Sequence, residues 1–151
     1  LERELASPDS RVRALHGVME LLDAIGRLPH HVPGLLTGNL EPGAARKLEA
    51  AGIDMGFFVV GAFGSDHERR DELPAIARQR ARDRLGHELP GEALVIIGDT
   101  PHDVSCGRPL GARAIAVATG HFGRAELAAC GPAAVFEDLR DTAAVIRAID
   151  A

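Results

Sequence analysis

Apolar side chains come along this chain in short runs of about five residues, and between the runs they recur at helical spacing. Gly17-Val18-Met19-Glu20-Leu21-Leu22-Asp23-Ala24-Ile25 has the helical period and predicts a helix over about 17–27. His31–Leu36 is an apolar run ending in Thr37-Gly38-Asn39, and Glu41–Ala51 reads as a helix with Pro42 in its first turn and Gly52 as its stop. The order strand, loop, helix then returns. Phe57–Ala62 leads through a charged loop to Asp71 and an Arg-rich amphipathic helix over Leu73–Leu85, and Ala93–Ile97 leads through Gly98-Asp99-Thr100-Pro101-His102-Asp103 to a helix over about 102–110. A strand over Ala112–Ala118, a helix over Arg124–Ala129, a strand over Ala134–Phe136 and a helix over Thr142–Ile149 complete the pattern. Such alternation predicts an α/β fold: a Rossmann-like parallel sheet, right-handed crossovers, and helices on both faces.

Composition narrows the class without changing that picture. At 151 residues, 46% apolar and 26% charged, the chain is of ordinary single-domain size and make-up, and its aromatics are five Phe with no Trp or Tyr. The net charge is −5, every cation but Lys47 is Arg, and no basic stripe or aromatic platform occurs, which excludes nucleic acid and anionic membrane as expected partners. Cys106 and Cys130 lack metal or redox spacing and read as reduced thiols. No apolar run approaches the roughly 20 residues that span a bilayer and no signal peptide opens the chain, so a cytoplasmic location is expected. The chain opens on Leu1 rather than Met, in the helical-looking Leu1–Ala6, before the breaker Ser7-Pro8-Asp9-Ser10.

In an open parallel sheet, ligands bind outside the carboxyl ends of the strands, where loops converge and helix N-termini offer free N–H groups. Asp99 and Asp103 stand four apart across one such strand-to-helix turn, so both carboxylates can face one point. Two hard oxygen donors at an open mouth suit Mg²⁺, while the structural alternative is that Asp103 stabilises its helix N-terminus and Asp99 makes the turn. Thr37, Gly38 and Asn39 offer a hydroxyl and a closely approachable backbone for an anion, or else simply cap the next helix. A phosphate beside two carboxylates also needs cations, which Arg69 and Arg70 are placed to provide. His102 is expected to face solvent. Gly61-x-x-Gly64 is too short for a dinucleotide fingerprint and no P-loop occurs.

Taken in order, Leu35-Leu36-Thr37-Gly38-Asn39, Arg69-Arg70, Val95-Ile96-Ile97-Gly98-Asp99-Thr100-Pro101-His102-Asp103 and Gly111–Val117 resemble the haloacid dehalogenase-like (HAD) hydrolases, and look closest to their phosphoglycolate-phosphatase-like members. The resemblance implies a HAD core over residues 15–151, with residues 1–14 as remnant of a helical cap. It implies Thr37 as the hydroxyl that binds the phosphoryl group, with Gly38 and Asn39 beside it. Asp99 and Asp103 become the Mg²⁺-holding acids, and Arg70, or else Arg69, the third-motif cation in place of the family's usual Lys. The implied substrate is a small phosphorylated metabolite; the oligomeric state is not implied.

The family's first motif, DxDx[TV], with its nucleophilic Asp, is nowhere in the 151 residues. The family's strand order places that motif's strand in the centre of the sheet, between the strands ending at Thr37 and Asp99. A chain without it is expected to leave two facing edges unpaired, each unsatisfied buried polar group costing roughly 1–3 kcal/mol. An upstream segment bearing that strand is therefore expected. The alternatives are a non-catalytic HAD-like module that binds metal, phosphate or a protein, and a haloacid dehalogenase, against which Thr37-Gly38-Asn39 leans toward phosphatase.

Overall fold

The computed structural model describes residues 17–37, 40–67 and 69–151, with the Arg70 side chain outside the description. The expected cap remnant over 1–14 and the candidate residues Gly38 and Asn39 lie outside the described residues. Six helices and five strands follow in the order α1 (Val18–Gly26), β1 (Gly34–Leu36), α2 (Glu41–Ala50), β2 (Val60–Ala62), α3 (Leu73–Leu85), β3 (Val95–Gly98), α4 (Pro101–Ser105), β4 (Arg113–Val117), α5 (Arg124–Ala129), β5 (Ala134–Phe136) and α6 (Thr142–Asp150).

All pairings are parallel, as expected, but the described strands form two sheets: β1 with β2, and β3-β4-β5. No strand among the described residues pairs with the second edge of β1 or of β3. The exposure of the strands records the same division. In β4, Ala114 to Val117 are all buried, whereas Val95, Ile96 and Ile97 of β3 and Leu35 and Leu36 of β1 are only half-buried despite side chains suited to a central strand. Among the described residues, the two edges expected from the sequence to be open are therefore unpaired.

Helices cover both faces. β4 alternates, as the two-residue period of a strand requires: Val117 packs with Val18 and Leu21 of α1, Leu48 of α2 and Val145 of α6, whereas Ala114 and Ala116 pack with Val104 of α4 and Leu127 of α5. Leu35 of β1 and Ile97 of β3 lie against the first of these clusters, so the two sheets share one core although they do not pair. Arg113 fastens the last helix to the sheet, its guanidinium donating to the Ala148 and Ile149 carbonyls at the C-terminus of α6 at 3.2 and 2.6 Å.

Three elements are shorter than the sequence pattern predicts. Pro33 closes the way into β1, which begins only at Gly34, and Met55–Phe57 forms a 3₁₀ turn ahead of β2. The helix expected over 102–110 stops at Ser105 and resumes as a 3₁₀ turn over Arg108–Leu110, because Pro109 has no N–H to extend an α-helical ladder.

Candidate functional site at the strand ends

The turn after β3 is built by reciprocal hydrogen bonds. Thr100 caps α4, its hydroxyl accepting from Asp103 N at 3.1 Å, while Asp103 Oδ2 accepts from Thr100 N at 3.1 Å and from Asp99 N at 3.0 Å. This is a capping box with Pro101 at the first helical position, and it fixes the backbone on which Asp99 stands. Asp103 is only 8% exposed, and one of its oxygens is committed to this turn, so the structural alternative weighed for it describes that oxygen.

Asp99 is 1% exposed, and its Oδ2 is buried without a hydrogen-bond partner in the structure. Its carboxylate lies against Gly120 in the loop after β4, where a Cβ would collide with Oδ2. A buried carboxylate oxygen without a donor is costly and calls for a cation. The donor set fits Mg²⁺: hard oxygens, few in number, at a strand end. Among the described residues no three His, Cys, Asp or Glu side chains gather as a metal-binding group.

Thr37 directly follows β1 and is 1% exposed; its N–H donates to the Ala62 carbonyl at 3.1 Å, which continues the β1–β2 ladder one step beyond the strands. From Ala62 the chain enters the charged loop carrying Arg69 and Arg70. That loop reaches the β3 turn, where His102 Nε2 stands 3.2 Å from Asp71 Oδ1, and this corrects the expectation that His102 faces solvent. The His102 side chain is 38% exposed, but its Nε2 is buried beside Asp71 without a hydrogen-bond partner. The carboxyl ends of β1, β2, β3 and β4 are thus linked in succession by Thr37 with Ala62, Asp71 with His102, and Asp99 with Gly120. Arg69 is exposed, its guanidinium 4.0 Å from Asp71.

Sequence reasoning missed three contributors: Thr100 as reciprocal cap, Gly120 as the small residue against Asp99, and the His102–Asp71 contact. The first was legible as Thr-x-x-Asp opening a helix, and the second as a Gly just beyond an apolar strand; a single His and Asp 31 positions apart give no local signal.

A HAD-hydrolase-like family model matches residues 73–142. The fold is that of a structure from Haemophilus somnus described as a predicted phosphoglycolate phosphatase, at a TM-score of 0.72 and 20% identity over 88% of this chain and 57% of that one. It is also that of a haloacid dehalogenase-like family protein from Streptococcus pneumoniae, at 0.76 and 19% over 89% of this chain and 60% of that one. A HAD family hydrolase from Deinococcus radiodurans, solved with bound phosphate and sodium, matches at 0.67 and 26% over 90% of this chain and 60% of that one. The chain spans about three fifths of the length of these structures. No curated protein sequence matches it. By fold across its described residues, and by sequence pattern over residues 73–142, the chain is similar to the haloacid dehalogenase-like hydrolases.

Proposed function

We propose that this chain is the core of a Mg²⁺-dependent phosphatase of small phosphomonoesters, its nucleophilic Asp supplied from outside these 151 residues. The observation that carries the reading is the buried Asp99 oxygen without a hydrogen-bond donor, at the end of β3 and within a linked rim of strand-end loops. Asp99 would hold the metal, with Asp103 fixing the turn and contributing to the same site. Bound there, Mg²⁺ would offset the charge of the phosphoryl group.

Thr37 would hold the phosphoryl group by its hydroxyl, beside Gly38 and Asn39. Arg70, or else Arg69, would balance its remaining charge, since a phosphate next to carboxylates is otherwise repelled. The bound phosphate in the Deinococcus radiodurans hydrolase supports this ligand class. The test is hydrolysis of a panel of small phosphomonoesters by the full-length protein, with Mg²⁺ and with chelator. Asp99→Asn is expected to lower the Mg²⁺-dependent rate at least about 100-fold; near-normal turnover in that variant overturns the metal assignment.

A second reading is a non-catalytic module that binds Mg²⁺ and phosphate. The same panel separates the two, since the module would bind orthophosphate without turning over any ester.

A further inference from the structure

Arg80, in the third turn of α3, makes three hydrogen bonds with one guanidinium. Nη1 donates to the Gly61 carbonyl of β2 at 2.6 Å and to Asp66 Oδ2 at 2.8 Å, while Nη2 donates to Asp66 Oδ1 at 2.8 Å. Asp66 is itself the closing residue of a turn: its Oδ2 accepts from Phe63 N at 2.8 Å, and its own N–H donates to the Phe63 carbonyl at 2.9 Å. Phe63 is buried with its ring across Gly61, where a Cβ would stand 2.8 Å from the ring. One planar fork therefore ties the last turn of strand, the first turn of loop and the following helix into a single unit. Arg69 stands only three positions after Asp66, and Arg70 four.

A paired surface Arg and Asp contribute little to stability, a median of about 0–1 kcal/mol, so stability alone is a poor account of this arrangement. Its geometry is the better one. The loop from Asp66 to Glu72 carries only charged residues and histidine, which in water would spread rather than hold a shape. It is restrained at its near end by Arg80, and at its far end Asp71 stands 3.2 Å from His102 Nε2 of α4. Between these two points lie the candidate phosphate-balancing cations.

We infer that Asp66 and Arg80 are positioning residues that set the loop bearing Arg69 and Arg70 against the phosphoryl site. The inference rests on the phosphate-binding reading given above. The bidentate fork matches a carboxylate, whereas a Lys at 80 presents one ammonium nitrogen on a flexible stem and cannot make two parallel contacts with Asp66 while holding the strand carbonyl in the same plane. Asp66 is therefore expected to act through the cation and not on substrate directly.

The experiment is competitive inhibition of the full-length protein by inorganic orthophosphate, with melting temperature recorded for each variant. Arg69→Ala and Arg70→Ala first identify the cation as the one whose loss raises the inhibition constant. Asp66→Asn and Arg80→Lys are each expected to raise it about tenfold and to raise KM more than they lower kcat. Combined with the Ala variant of the identified cation, each is expected to add less than twofold, because a misplaced loop matters only while the cation is there. If Asp66→Asn and Arg80→Lys both leave the constant within twofold, or if their effects multiply with that of the cation variant, the inference is overturned while the phosphate-binding reading stands. If neither Arg69→Ala nor Arg70→Ala changes the constant, the cation assignment fails and the inference fails with it. Should one variant lower the melting temperature too far to assay, the other decides the question alone.

Discussion

The carboxyl group of Asp103 occupies the place where a side chain at Gly98 would stand. The last residue of β3 must be glycine because the acid four positions after Asp99 turns back over the strand end to accept from two backbone amides, those of Asp99 and Thr100. Gly98 and Asp103 are one device: the glycine makes room and the acid fills it. Gly98→Ala is therefore expected to destabilise the fold by about 1–3 kcal/mol, as overpacking of a tight site does. Asp103→Ala is expected to cost a similar amount by stranding the two amides, and Asp103→Asn less, since its carbonyl still accepts. Urea denaturation measures all three; an Asp103→Asn variant as unstable as Asp103→Ala would show that charge, and not acceptor geometry, holds the turn.

Gly120 stands to Asp99 as Gly98 does to Asp103, with one difference: the oxygen it crowds has no hydrogen-bond partner. Gly120→Ala is expected to push the Asp99 carboxylate aside and weaken Mg²⁺ affinity about tenfold or more, read by the Mg²⁺ dependence of melting temperature. Asp99→Asn removes the charge that burial disfavours, so this variant without metal is expected to be at least as stable as the unmodified protein while losing its response to Mg²⁺. A metal response that survives Asp99→Asn would place the ion elsewhere.

Thr37 separates the phosphate cradle from the helix cap, the two roles its position at the end of β1 allows. Thr37→Val keeps shape and removes the hydroxyl. Inhibition of the full-length protein by orthophosphate is expected to weaken about tenfold, as the loss of a charge-assisted hydrogen bond implies. Unchanged inhibition with lowered stability would return Thr37 to a purely structural role.

How far the sequence reveals this molecule follows from the range of the forces involved. The alternation of apolar runs with helical periods is local, and every strand and helix expected from residue 17 onward appears within a few residues. The GDxxxD block is equally local, because strand tip, cap and acid lie within six residues of one another. Element ends were less legible: Pro33 and Pro109 act by the hydrogen bonds they cannot make, and a count of apolar positions does not register that. The contacts that join separate loops were not legible at all. Arg80 with Asp66 and His102 with Asp71 each pair residues at least 14 positions apart, and an Arg on an exposed helix face looks the same in sequence whether it is solvated or holds a loop. Solvated charge is by far the commoner case, so pattern alone argues against the very residues that organise the rim.

Acid should dissolve the Arg80–Asp66 tie only at low pH. The hydrogen bonds from Arg80, helped by the Phe63 amide, hold the Asp66 carboxyl below its ordinary value of 3.8. A folded-state value below the unfolded one means that the pair's contribution is complete above the unfolded value and is lost as pH falls through the folded one. With side chains 22% and 43% exposed, Asp66 and Arg80 are expected to contribute no more than about 1 kcal/mol. The stability difference between the unmodified protein and Asp66→Asn should accordingly stay constant from about pH 8 to about pH 5 and shrink only below about pH 4. Chemical denaturation across that range checks it, at low salt so that screening does not mask a small term. A difference that has already vanished by pH 5 would mean that the carboxylate is not held by the guanidinium, and the loop would then need another anchor.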